Sequence, residues 1–322
     1  MQAPKLLNIS ITPFTAEDIP TLVTYQQTMA KETEDKDLSS ETVTEALEHM
    51  VENRSYGQYF MAKLADTNEP VGCTMITYAF DVLTQDLNIW YQSVYVDKQY
   101  RNQKVFTRLF RHVEELASHL KATGLYLYVE KENTSAQSIY EKLGMHKSSQ
   151  TFVEKDFYFY HQAEAVDGSH LYNFEFNTIS RDSKQPLSVD ELFDMIKAND
   201  TPNVVFHTDN KHFSWSEQSL CLKVYREGVL VGLFTGFVEI SDWRNGLSVY
   251  ISDYSTDVEP DAFVRLLKEL EASITNGCPL GMKTTVIRFV VLEDDKKLKE
   301  LESAGYQLEH YYVYEKAVKK LN

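Results

Sequence analysis

Residues 90–110, WYQSVYVDKQYRNQKVFTRLF, decide how the chain is read. The pattern predicts a strand over 88–96, a polar turn over 97–104 and a helix over 105–121 with Phe106, Leu109, Phe110, Val113 and Leu116 on one face. A strand that runs through a tight loop into a helix aims consecutive backbone N–H groups, and the positive helix end, at one point. That point is an anion site, and Arg101 with the amides of Asn102, Gln103, Lys104, Val105 and Phe106 occupies it.

Upstream, the pattern predicts a strand over 9–11, a helix opened by Thr15-Ala-Glu-Asp18 as N-cap and acidic first turn and running through about Met29, a second helix over 40–51, and a hairpin of 59–64 with 71–78. Downstream come a strand over 125–130, a short helix over 135–143, and Gly144 at a left-handed helix end. A strand over 151–160 closes this half.

The second half repeats the order: a hairpin of 220–225 with 229–238, a strand over 247–253, a helix over 261–274, a strand over 285–292, a helix over 294–304 and a strand over 309–315. LYLYVEKENTSAQSIYEKLGM aligns with VIRFVVLEDDKKLKELESAGY, setting Gly144 over Gly305 at an offset of 161 residues. The expectation is an α/β (α+β) chain of two like domains, 1–161 and 171–322, joined by a polar linker over 162–170 and packed as an internal pseudo-dimer.

Composition narrows the function. Forty-eight acidic against 32 basic residues give a formal charge of −16, which repels a phosphate backbone and disfavours nucleic acid while attracting a cationic partner. Cys73, Cys221 and Cys278 form no CxxC pair and no Cys/His cluster, so buried thiols are expected, with no disulfide framework and no metal. No apolar run reaches the roughly 18 residues of a membrane span, and the start lacks a secretory h-region, so the expectation is a soluble cytoplasmic protein.

WYQSVYVDKQYRNQKVFTRLF resembles the cofactor-binding strand, loop and helix of the GNAT superfamily of acyl-CoA-dependent N-acyltransferases, whose loop pattern is R/Q-x-x-G-x-G/A. LYVEKENTSAQSIYEKLGM resembles that superfamily's next strand and helix, with Asn133, Ala136, Tyr140 and Gly144 in the pattern N-x-x-A-x-x-x-Y-x-x-x-G. The resemblance implies acetyl transfer from acetyl-CoA to an amine of a small molecule or peptide. The backbone of Val94, Tyr95 and Val96 would pair with pantetheine, Arg101 and the amides of 103–106 would hold the pyrophosphate, and Asn133 would contact the pantetheine arm. The Tyr140 hydroxyl would protonate the departing sulfur.

The chain departs from the superfamily pattern in two respects, the loop and the base. Lys104 and Phe106 stand where it has its loop glycines, and Gln92 and Ser93 stand where many members carry a basic glutamate. Neither Gln92 nor Ser93 accepts a proton at neutral pH, so a water held by them is the expected relay, with Glu130 as the fallback. In the second half the loop 253–259 is acidic, and Asp294 and Leu301 replace Asn133 and Tyr140. That half is expected to keep the fold without a CoA site and to shape the acceptor pocket. The alternative reading is a non-catalytic CoA-binding sensor or scaffold.

Overall fold

The computed structural model describes residues 7–54, 57–158, 170–182, 185–201, 203–207, 219–277, 282–292 and 296–318. The first half runs β1 (Ile9–Pro13), α1 (Ile19–Glu34), α2 (Ser40–Glu52), β2 (Gln58–Leu64), β3 (Pro70–Asp81), β4 (Asp86–Val96), α3 (Val105–His119), β5 (Gly124–Glu130), α4 (Thr134–Lys142), β6 (His146–Lys147) and β7 (Gln150–Asp156). The second runs β8 (Asn173–Arg181), α5 (Val189–Lys197), β9 (Val204–His207), β10 (Ser219–Arg226), β11 (Val229–Ser241), β12 (Gly246–Thr256), α6 (Pro260–Gly277), β13 (Thr284–Leu292), α7 (Lys296–Ser303), β14 (Gln307–Leu308) and β15 (Tyr311–Ala317). β8, α5 and β9 add to what the sequence pattern indicates; α5 opens on a capping box made by Ser188 and Glu191.

The strands form two mixed, mostly antiparallel sheets. Their orders are β1-β2-β3-β4-β5-β15-β6 and β14-β7-β13-β12-β11-β10-β8-β9. Each half therefore lends its closing strand to the other: β15 pairs antiparallel with β5, Tyr311 opposite Glu130, and β7 pairs antiparallel with β13, Val286 opposite Asp156. The strands expected to close each half form where expected, but each closes the opposite sheet. Boundaries at 161 and 171 consequently do not separate the sheets, and the linker 162–169 lies outside the described residues.

α3 buries Val105, Leu109, Phe110, Val113 and Ala117 on one face of the first sheet, against Ile76, Tyr91, Leu125 and Leu127. The other face carries α1 and α2 over Tyr59, Met61, Met75 and Tyr95. Beside them the second sheet packs through a mostly aromatic cluster that includes Trp90, Phe152, Phe237, Tyr250 and Val313. Cys73 and Cys221 are buried free thiols.

In both halves one parallel pair opens like a V. The β4–β5 ladder starts at Asn88 opposite Gly124 and stops at Tyr91 opposite Leu127, although β4 continues to Val96 and β5 to Glu130. A bulge at Gln92, where β3 passes from Met75 opposite Ser93 to Ile76 opposite Tyr91, bends β4 away at that point. The second half repeats the device between β12 and β13, with its bulge between Thr235 and Gly236.

Candidate active site

The V between β4 and β5 opens into a cavity of about 750 Å³. Its first-half lining includes Gln92, Ser93, Val94, Tyr128, Asn133 and Tyr140, and the second half adds Glu239, Asp242, Trp243, Arg244, Arg288 and Glu309. The structure thus brings Gln92, Ser93, Val94, Asn133 and Tyr140 to one cavity, while the loop 101–106 stands at the start of α3. Beyond Tyr91 no strand pairs with the β5-facing edge of β4 among the described residues.

The loop turns left-handed before it enters α3. Asn102 and Lys104 both adopt positive φ, +63° each, so the turn is left-handed at the point where the superfamily pattern has its first glycine. The need for glycine there is conformational, and Lys104 meets it under strain with its side chain exposed. Among the described residues, no acceptor takes the amides of 102–107, the orphan donors of a helix start.

The Arg101 side chain is placed differently from the expectation. Its Nε–H donates to the Val96 carbonyl (2.9 Å) and its guanidinium pairs with Glu32 of α1 (2.8 Å), which Lys98 also approaches (3.0 Å). These contacts, the Arg101 hydrogen bond foremost, hold the Glu32 carboxyl below its usual range. Arg101 ties α1 to the end of β4 and takes one of the carbonyls expected to face pantetheine. Tyr95 turns into the α1 side, its ring 4.6 Å from Tyr25.

Asn133 caps α4: its side-chain oxygen accepts the Ala136 N–H (3.1 Å) while the residue also lines the cavity. Tyr140 stands edge-on to Phe106 (5.7 Å) and tilted against Tyr314 (6.2 Å), so packing from both sides fixes its ring. Among the described residues no group bonds its hydroxyl, and burial pushes its pKa up to about 12. The phenol is therefore a protonated, oriented donor across the neutral range.

On the opposite side of the V lies a polar network that sequence reasoning missed. Gln92 donates to Thr77 (2.9 Å) and accepts from Tyr128 (3.1 Å), and Thr77 donates to the buried Glu239 of β11 (2.6 Å). Arg288 of β13 pairs with Glu154 of β7, Arg244 with Asp156 (2.6 Å), and Tyr59 donates to Asp242. Burial raises the Glu239 and Asp242 carboxyls. A glutamate inside the apolar run VGLFTGFVEI was the available signal for Glu239; nothing in the sequence announces its partners.

The equivalent V of the second half is closed. Lys297 of α7 pairs with Asp253 (2.7 Å) and donates to the Tyr254 carbonyl (3.2 Å), and Tyr254 stacks between Phe234 and Phe263 (5.3 Å each). Leu301, at the Tyr140 position, is fully buried. Asp294 lies outside the described residues. Among the described residues no group of three or more His, Cys, Asp or Glu side chains is placed to hold a metal, and no helix is long and apolar enough to cross a membrane.

A family model described as the acetyltransferase (GNAT) family matches residues 23–145. A possible acetyltransferase from Clostridium difficile 630 is 31% identical over 44% of this chain and 91% of its own length, with a TM-score of 0.41. A tandem GNAT protein from the clavulanic acid biosynthesis pathway is 12% identical and spans 98% of this chain and 100% of its own, with a TM-score of 0.53. A GCN5-related N-acetyltransferase from Sphaerobacter thermophilus is 12% identical over 98% of both chains, with a TM-score of 0.51. No curated protein matches the chain in sequence. The chain belongs to the GNAT acetyltransferase family and carries the GNAT-like fold in tandem.

Proposed function

We propose that the protein transfers an acetyl group from acetyl-CoA to a primary amine by direct attack, with Tyr140 as general acid. Acyl transfer is the chemistry its family supports; donor, acceptor and acid are our reading. The observation that carries it is the V between β4 and β5, with Tyr140 lining it as an oriented phenol and the left-handed start of α3 beside that ring through Phe106.

In this reading the amides of 102–106 receive the donor's pyrophosphate, and pantetheine lies along Val94 as an added strand. The thioester then sits beside Tyr140. As the C–S bond breaks, the electron pair leaves on sulfur, which takes the phenolic proton. The cavity lining holds eight carboxylates against four lysines and arginines, which suits an acceptor that arrives as an ammonium ion.

Tyr140→Phe tests the reading. Turnover of acetyl-CoA with a panel of primary amines should fall by about 10²–10⁴, while calorimetry shows acetyl-CoA binding unchanged. If both proteins bind acetyl-CoA and neither releases thiol with any amine, the sensor reading takes its place. That reading draws on Lys104 and on the Arg101–Glu32 pair, which must yield if the guanidinium is to reach a phosphate.

A further inference from the structure

Resting on that acyltransfer reading, we infer that Glu309, delivered from the second half by the strand exchange, is the general base that deprotonates the acceptor amine.

The placement follows from where the chain leaves β14 and enters β15. β15 sets Tyr311 opposite Glu130 and Val313 opposite Tyr128. With a side-chain period of two, these four face the side of the first sheet turned toward the second half. The Tyr128 and Tyr311 rings meet at 5.4 Å on that side. Glu309 lies two residues ahead of Tyr311, held by its N–H to the Phe152 carbonyl (3.1 Å) and by Lys131 Nζ to its own carbonyl (3.3 Å), and it lines the cavity. Tyr140 and Tyr314 occupy the other face, with α3. Tyr140 and Glu309 both line the cavity, so that one bound thioester can have the phenol near its sulfur and the carboxylate near the incoming amine.

Apart from Glu130, the rival in the test below, these neighbouring carboxyls are engaged. Glu154 has Arg288, Asp156 has Arg244, Asp242 has Tyr59, Glu239 has Thr77 and Glu34 has Lys36. Among the described residues Glu309 takes no hydrogen bond from a cation or hydroxyl and meets the carboxyl of Glu154 instead. The charged and titratable groups facing it are Glu154 on β7, Arg288 on β13, Glu34 on α1, and Glu130 and Lys131 at the end of β5. Burial first, and then the Glu154 charge, raise its carboxyl to about 7, with Arg288 opposing.

The step balances as follows. One ammonium proton passes to a Glu309 carboxylate oxygen, the freed nitrogen pair forms the C–N bond, and collapse of the tetrahedral adduct breaks C–S. Sulfur takes the Tyr140 proton, the second nitrogen proton restores Tyr140 through solvent, and Glu309 returns its proton to bulk. Because Glu309 acts as carboxylate, the rate rises with pH through about 7 and levels above it.

The test compares wild type, Glu309→Gln and Glu130→Gln. With the most active amine of the panel, Glu309→Gln should lower kcat/KM for the amine about 10²-fold or more and abolish the rise through pH 7, with acetyl-CoA affinity kept. A loss confined to Glu130→Gln, or a rise that survives in Glu309→Gln, overturns the assignment. An arm independent of any acceptor uses protein labelled with 13C at the glutamate carboxyls. A carboxyl resonance titrating between pH 6 and 8 should be present in wild type and Glu130→Gln and absent in Glu309→Gln; no such resonance in wild type overturns the assignment. Failure of wild type to bind acetyl-CoA would instead defeat the parent reading.

Discussion

Arg101 shows what residue type conveys and what it omits. The loop pattern identifies a basic residue at the start of the proposed anion site, but only the folded chain brings Glu32, 69 positions earlier, against it. The guanidinium is 42% exposed, so the pair belongs to the class of surface ion pairs worth about 0–1 kcal/mol, an amount a bound pyrophosphate can overcome. Glu32→Gln removes the competitor for both Arg101 and Lys98. Titration calorimetry should show CoA binding tightened by up to about fivefold, with the gain shrinking as salt is raised. Tyr140 is the contrasting case: its spacing from Asn133 and Gly144 identified the residue, and packing by Phe106 and Tyr314 supplies the orientation.

At the level of elements, the strand–loop–helix of 90–110 was legible because its signals are local: alternation, a polar turn and a 3.6-residue apolar period. The loop's left-handed turn at Lys104 is the one feature in which side chain and backbone disagree. Lys104→Gly relieves a conformation that costs an ordinary L-residue about 1–2 kcal/mol, partly offset by glycine's greater unfolded-state freedom. Urea unfolding should show a net gain of about 0.5–1 kcal/mol, and any accompanying rise in CoA affinity would measure what the lysine side chain obstructs. The V-shaped openings were legible only in part. Both halves keep the parallel ladder and the bulge, yet one V opens into the cavity and the other is filled by Tyr254 of β12, stacked on Phe263 of α6, and by Lys297 of α7.

The whole molecule is held together by an exchange that ties its last strand to its first sheet. Val313 and Tyr314 are buried there, and β15 covers the β5 edge that would otherwise present unpaired backbone groups. Deleting residues 310–322 should therefore disturb the first half more than the second. Hydrogen exchange would show protection lost across β5 and α4 in any soluble material, and size-exclusion chromatography would show association through the bared edge. The sequence by itself determined the common run of strands and helices in each half and its duplication at an offset of 161 residues, because each is written in contiguous residues with a fixed period. Only the tertiary structure decided which sheet each closing strand joins, and so which half supplies Glu154, Glu239, Arg288 and Glu309 to the cavity. Two like strands carry nearly the same local pattern; the choice between them rests on pairing partners more than a hundred residues away, and no local signal encodes that.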